Sequence, residues 1–272
     1  MAEISKKILL FTTAYRPFVG GSEIAIEEIV KRLPDIFFDI VTPRIKRGSL
    51  QPEAGDNFRI HRIGWGWFLD KIIFPLSGFL YSRKLVQKNN YDFFHVFQAS
   101  WAGGAAWFTK IFHSCIPLIL TLQEGKDLDS QGWFVKLCRR MIVRKANRIT
   151  AISEYLKKYV LKNRKNAAVA VIPNGVDIDN FCRDFSYGEL SALQDKVGIK
   201  PGERTIITVS RLVPKNGIAD LIKAVAVLNE KKEPTFKLLV VGGGEQKDDL
   251  LKLADDLKIE DKVIFIGRIN HF

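Results

Sequence analysis

Residues 205–209, Thr-Ile-Ile-Thr-Val, run through Ser210-Arg211-Leu212-Val213-Pro214-Lys215-Asn216-Gly217 into Ile218-Ala219-Asp220-Leu221-Ile222. Branched apolar side chains favour a strand, and Pro214 and Gly217 punctuate a turn. Beyond it Ile218, Leu221, Ile222, Val225 and Leu228 recur at helical spacing, which predicts a helix from Ile218 to Lys231. The unit then repeats. A strand over Lys237 to Val241 precedes a helix from Gln246 to Lys258, on which Leu250, Leu253, Ala254 and Leu257 share a face, and Val263 to Ile266 is a third strand. This β-α-β-α-β order predicts parallel strands joined by crossover helices, half of a doubly wound domain.

The same syntax extends upstream. Apolar runs at Lys7 to Thr12, Phe38 to Thr42, Phe58 to Ile63, Asp92 to Phe97, Pro117 to Leu122, Arg148 to Ile152 and Ala168 to Ile172 alternate with helical patterns. Being apolar at consecutive positions, they suit strands covered on both faces. After Ile172 comes the turn cluster Pro173-Asn174-Gly175-Val176-Asp177, then a polar stretch with Arg183, Asp184, Ser186 and Gly188. The expectation is an α/β chain of two Rossmann-like doubly wound parallel-sheet domains, residues 1–185 and 186–272. Three strands leave the second sheet with exposed edges, and the sequence stops at His271-Phe272 where another helix is due. A fragment or truncated product is expected, with the second domain incomplete.

With 272 residues and 47% hydrophobic side chains, disorder is excluded. Cys115, Cys138 and Cys182 are far apart and histidines number four, so neither a disulfide frame nor a zinc site is expected. No signal peptide is legible, and the uncharged stretch between Asp92 and Lys110 falls short of the roughly 20 apolar residues of a bilayer span. A cytoplasmic protein, peripheral on the inner face of the membrane at most, is the expectation.

Two loops are suited to phosphate. Gly20-Gly21-Ser22 stands between the first strand and a helix from Glu23 to Leu33, where free N–H groups and the helix dipole favour an anion. A flexible turn with Ser22 as N-cap is the other reading. Arg211 and Lys215 lie between a strand's carboxyl end and a helix start, where a guanidinium fork and a point charge suit a diphosphate; a solvent-facing basic loop is the alternative. Val241-Gly242-Gly243-Gly244-Glu245 repeats the strand-to-glycine pattern and puts Gly243 in the same region. The dinucleotide pattern G-x-G-x-x-G is missing, which argues against a dehydrogenase.

Taken in order, Lys7 to Thr12 with Gly20-Gly21, Arg148-Ile149-Thr150-Ala151-Ile152-Ser153-Glu154, Val171-Ile172-Pro173-Asn174-Gly175-Val176-Asp177 and Val209-Ser210-Arg211-Leu212 resemble glycosyltransferase family 4. The resemblance implies a GT-B fold and a nucleotide-diphosphate-sugar donor, UDP- or GDP-linked, held mainly by the carboxyl domain. It implies a saccharide or lipid-linked acceptor on the amino domain, and transfer with retention and without a metal or other cofactor, in cell-surface polysaccharide or glycolipid synthesis. Carried onto this sequence, Gly20 and Gly21 approach the donor phosphates, Arg211 neutralises the diphosphate leaving group, and Arg268 lies near the nucleotide base. Two positions depart from the family. Asn216 stands where a lysine is usual, with Lys215 one residue earlier as its substitute, and Gln123 stands where a histidine is usual in Thr121-Leu122-Gln123. Gln123 hydrogen-bonds but does not titrate, which implies positioning rather than proton transfer. The family's Glu-x7-Glu motif would lie beyond Phe272, so residues 1–272 alone are expected to show little or no transferase activity.

The net charge of +12 is concentrated between Lys136 and Lys165. From Trp133 to Arg148, Lys136, Arg140, Arg144 and Arg148 recur every four residues opposite Phe134, Leu137, Cys138, Met141 and Ile142. The ordinary reading is a surface helix with a solvated basic face; the sharper one is docking to an anionic membrane surface. Trp65, Trp67, Phe68, Ile72, Ile73, Phe74, Phe79 and Tyr81 would add apolar contact, although burial in the core is the simpler account. Nucleic acid is not an expected partner, since no zinc finger, RNP motif or helix-turn-helix is present. A non-catalytic scaffold binding a nucleotide or partner subunit, and a nucleotide-sugar epimerase, remain alternatives.

Overall fold

A computed structural model describes residues 4–18, 20–45, 54–124, 128, 131–200, 202–230 and 236–269, apart from the side chain of Asn180. The chain divides into two compact units, Met1–Val176 and Asp177–Phe272. This division lies nine residues ahead of the boundary expected after Phe185.

In the first unit the seven apolar runs form strands β1 (Lys6–Phe11), β2 (Ile36–Pro43), β3 (Phe58–Ile63), β4 (Phe93–Phe97), β5 (Leu118–Leu122), β6 (Arg148–Ala151) and β7 (Val169–Val171). They make one parallel sheet in the order β3-β2-β1-β4-β5-β6-β7. Order reverses between β1 and β4, the position at which open α/β sheets bind ligands beyond their carboxyl ends. Helices α1 (Gly21–Arg32), α2 (Asp70–Lys88), α3 (Trp101–Phe112), α4 (Trp133–Lys145) and α5 (Glu154–Asn163) connect the strands.

The two faces are covered unequally. Ile26 and Val30 of α1 pack on Ile8, Leu10, Phe38, Ile40, Ile60 and Phe97. The opposite face carries the larger core, where Leu9, Phe11, Phe94, Val96, Leu120 and Leu122 meet side chains of α2, α3, α4 and α5. Within β2 a carboxylate interrupts the apolar pattern: Asp39 accepts hydrogen bonds from His61 Nε2 and the Tyr91 hydroxyl, each at 2.7 Å, with Lys7 Nζ at 3.3 Å. Burial pushes its carboxyl upward, but the bonds from His61 and Tyr91 outweigh this and hold it below the usual range.

The second unit begins with the short α6 (Ile178–Phe181) and α7 (Tyr187–Val197), which starts in a capping box between Ser186 and Glu189 and ends at left-handed Gly198. Strands β8 (Arg204–Val209), β9 (Phe236–Val241) and β10 (Val263–Gly267) form a parallel sheet in the order β10-β9-β8. Crossover helices α8 (Ile218–Glu230) and α9 (Lys247–Asp256) bury Ile222, Val225, Leu250 and Ala254 against Leu238 and Val240. Lys231 and His271-Phe272 lie outside the described residues.

The helix expected from Trp133 to Arg148 ends three residues early, at Lys145, and Arg148 belongs to β6. Its sides also differ from expectation. Arg139 is fully buried, donating to the Leu128 carbonyl and Gln131 Oε1 and lying over the Tyr159 ring, while Trp133, Phe134 and Leu137 are exposed. Burial of the aromatic segment fails likewise: Phe74 and Phe79 enter the core, but Trp65, Trp67, Phe68, Ile72 and Ile73 stay on the surface. Among the described residues no helix is long and apolar enough to cross a membrane.

Candidate functional site

In the second unit the three loops at the carboxyl ends of β8, β9 and β10 come together. The chain leaves β8 at Ser210, exposes Arg211, buries Leu212 and tightens into a 3-10 turn, Pro214–Asn216, before left-handed Gly217 opens α8. The Asn216 side-chain amide donates to the Arg211 carbonyl at 2.7 Å, and Val213 N and Asn216 N close the same turn. Asn216 therefore acts here as a brace of the Arg211 loop, a role its sequence position did not disclose.

The glycines after β9 have a backbone explanation. Gly242, at φ 142°, is so close to Ser210 that a Cβ would overlap its carbonyl oxygen, and one on Gly244 would overlap the backbone of Leu212. Leu212 N donates to Gly243 O at 3.2 Å and Gln246 N to Leu212 O at 3.2 Å, so the two loops are docked on each other. A Cβ on Gly243 would meet Arg268 Nε at 2.8 Å. Arg211, Lys215, Asn216, Gly243 and Arg268 thus belong to one end of one sheet, and Arg211, Lys215 and Arg268 are exposed. A site with this composition favours an anion, the guanidinium groups offering paired N–H donors to phosphate oxygens.

In the first unit the carboxyl ends of β1, β4 and β5 gather polar groups. Gly20 is the N-cap of α1 in extended backbone, and a Cβ on Gly21 would meet nothing within 4 Å. Glu23 lies beside Gly20 and accepts a bond from Ser22 Oγ at 2.9 Å, so a carboxylate already complements this helix start. Ser22 accepts from Gln98 Nε2 at 3.1 Å, and Gln98 holds a left-handed backbone at φ 67°. Glu124 Oε1 fixes the next residue by accepting from Ala99 N at 2.6 Å.

Gln123 is nearly buried and donates through Nε2 to Asn174 Oδ1 at 2.9 Å; its Oε1 is buried and meets no partner among the described residues. Burial raises the Glu124 carboxyl above its usual value despite the Arg139 charge. Gln98 and Glu124 were not singled out from the sequence, because only the topology brings them together, and Ser22, read as an N-cap, lies inside α1 with Gly20 in the capping place.

Sequence models decide the family. That of Glycosyltransferase Family 4 matches residues 19–180, and that of Glycosyl transferases group 1 matches residues 191–272. The chain belongs to glycosyltransferase family 4. Among relatives in this glycosyltransferase family, the alpha-monoglucosyldiacylglycerol synthase of Streptococcus pneumoniae is 26% identical over 97% of the chain and 62% of its own length. A GDP-mannose-dependent monoacylated alpha-(1-6)-phosphatidylinositol monomannoside mannosyltransferase of Corynebacterium glutamicum is 30% identical over 52% of the chain and 37% of its own. The chain thus spans about three-fifths of the length of the first of these relatives. Anabaena HepE, solved with UDP-glucose, shares the fold, with a TM-score of 0.74 at 19% identity over 97% of the chain and 70% of that protein. The α/β architecture is that of GT-B glycosyltransferases, with two Rossmann-like units in one chain.

Proposed function

We propose that this chain belongs to an enzyme that transfers a sugar from a nucleotide-diphosphate donor to a saccharide or lipid-linked acceptor with retention, in cell-surface polysaccharide or glycolipid synthesis. The observation that carries this reading is the exposed set Arg211 and Lys215 on the loop after β8 and Arg268 after β10, at the same end of one sheet, with the Arg211 loop braced by Asn216. As the bond from the anomeric carbon to the diphosphate oxygen breaks, its electron pair stays on the phosphate and negative charge grows there. A preorganised guanidinium at that oxygen lowers the barrier. The acceptor hydroxyl then bonds to the anomeric carbon, and its proton passes to the departing phosphate oxygen. Arg211, Lys215 and Arg268 supply the positive charge that such a leaving group requires, so we propose that the donor is held without a metal.

The relatives support the substrate classes: one is named for a glucosyl diacylglycerol product, the other for GDP-mannose and a phosphatidylinositol mannoside. The polar end of the first unit, with Gln98, Gln123 and Asn174, is the proposed acceptor side. Gly20 and Gly21 are proposed as a phosphate-binding helix start of the first unit, where the Glu23 carboxylate competes for the same place.

Calorimetric titration of the chain with UDP, GDP and their hexose conjugates tests the reading. Micromolar-range binding of a nucleoside diphosphate, lost in Arg211→Ala, is expected; equal affinity for uridine and UDP would overturn it. One observation favours a second reading, nucleotide binding without transfer: the position usually holding lysine carries Asn216, whose amide is already engaged. Under that reading donors bind but no sugar reaches any acceptor.

A further inference from the structure

Thr42, Arg44 and Arg62, at the carboxyl ends of β2 and β3, are explained neither by the core nor by the loops of the second unit. Thr42 stands opposite Arg62 in the parallel register, and Arg44 N donates to Ile63 O at 2.8 Å, continuing the ladder one residue past β2. Side chains alternate along a strand, so all three residues share the face that α1 covers, where Phe38, Ile40 and Ile60 are buried. His61, between Ile60 and Arg62, shows the opposite case. It turns to the other face and is satisfied by Asp39 at 2.7 Å and Tyr81 at 3.0 Å.

On the α1 face polarity is left over. Thr42 is fully buried, and its Oγ1 meets no hydrogen-bond partner among the described residues. Arg44 Nε is shut off from water and likewise lacks a partner there. Arg62 brings a second guanidinium on the adjoining strand. Carboxylates of the covering helix are engaged elsewhere: Glu27 pairs with Arg16, Glu28 with Arg32, and Glu23 accepts from Ser22 Oγ. A polar group held out of water without a partner costs stability, so its retention calls for a role that folding does not supply.

The chemistry of the donors names the ligand. Two guanidinium forks and a hydroxyl suit a tetrahedral group with three terminal oxygens, whereas a single fork satisfies a carboxylate. The site lies at the same end of the sheet as Gln98 and Gln123, the proposed acceptor side, and the ends of β2 and β4, which flank β1, are roughly 10 Å apart. One molecule can reach both. We infer that Thr42, Arg44 and Arg62 form a subsite for a phosphate ester, and that the acceptor sugar carries this phosphate. The assignment to the acceptor rests on the transfer reading; the phosphate subsite itself does not.

All five tryptophans, Trp65, Trp67, Trp101, Trp107 and Trp133, lie in the first unit, so their emission reports on that unit. Titration with glucose 6-phosphate is expected to change the emission saturably, with glucose binding about tenfold more weakly or less tightly still. Arg44→Gln and Arg62→Gln should each weaken ester binding by roughly tenfold or more, as the loss of a charge-assisted hydrogen bond does. Thr42→Val should weaken it too, while the melting temperature holds or rises, because an unsatisfied buried hydroxyl is removed. Ester binding no tighter than that of glucose, by emission or by calorimetry, overturns the subsite. Undiminished binding in the arginine variants does the same, as does a Thr42→Val variant that loses stability and keeps its affinity. Inorganic phosphate bound as tightly as the ester marks a free-phosphate site and overturns the assignment to the acceptor. Arg211→Ala separates this inference from the donor reading: it should abolish nucleoside diphosphate binding and leave ester binding intact, and loss of ester binding in that variant would place the ester in the second unit instead.

Discussion

The side chain of Asn216 holds the backbone of Arg211: its amide donates to the Arg211 carbonyl at 2.7 Å across the 3-10 turn that leads into α8. Removing the amide frees the loop that presents the guanidinium. Asn216→Ala is expected to weaken nucleoside diphosphate binding by about three- to tenfold, the measure of one hydrogen bond of about 1 kcal/mol. Because Asn216 is exposed, the melting temperature should change little. Isothermal titration beside a thermal melt checks both halves.

Glycines at the two candidate loops should respond oppositely to alanine. Gly242→Ala forces a Cβ into the Ser210 carbonyl at a φ of 142°, and about 2–4 kcal/mol of stability should be lost from the second unit. Gly21→Ala meets open space on a helix, where alanine is favoured, and should be neutral or stabilising by up to about 1 kcal/mol. Urea denaturation of both variants measures the two responses, and a Gly242→Ala variant as stable as the parent would contradict the close approach of the two loops.

His95 links stability to pH. Burial lowers its pKa to about 4, and its Nε2 pairs with Thr121 Oγ1 at 2.8 Å, which in turn meets Thr150 Oγ1 at 2.8 Å. The unfolded chain therefore takes up a proton before the folded one does. Stability from this group is complete above the ordinary histidine value near 6.5 and declines as pH falls toward 4, by on the order of 1–3 kcal/mol. His95→Gln should flatten the slope between those limits; an unaltered slope would contradict the assignment.

Asp39 acts in a lower pH window. Its depressed carboxyl contributes stability that is present above the ordinary aspartate value and lost as pH falls through the folded one. Asp39→Asn leaves Lys7 without its counter-charge and disturbs the buried bonds from His61 and Tyr91, and should cost about 2–4 kcal/mol at neutral pH. The deficit relative to the parent chain should shrink in acid, as denaturation series at several pH values would reveal.

A chelator supplies the last test. If Arg211, Lys215 and Arg268 provide the charge that holds a diphosphate, EDTA should leave UDP or GDP affinity within about twofold. A tenfold loss restored by Mg2+ or Mn2+ would show that a cation shares the work.

The strands were legible because a parallel sheet covered on both faces demands apolar residues at successive positions, and each of the ten predicted runs lies on a strand. Local pattern failed where a side chain's surroundings come from distant sequence. Arg139 reads as one more cation on a basic helix, yet Leu128, Gln131 and Tyr159 enclose it. Trp65, Trp67 and Phe68 read as core by composition, yet they are exposed, and the bonds from Gly66 N and Trp67 N to buried Asp70 that hold their loop are invisible in hydropathy. Gly242 and Gly244 invite a ligand reading, whereas the partners they admit are Ser210 and Leu212. Gln98 and Glu124 carry no motif; only the closing of β4 beside β5 sets them at the ends of adjacent strands.

The docking of the Gly242–Gly244 loop on Ser210 and Leu212 ties two stretches of sequence into one mechanical part. A graft of the Arg211 loop onto another sheet would therefore have to carry its glycine partner with it, and either loop moved alone should lose its shape.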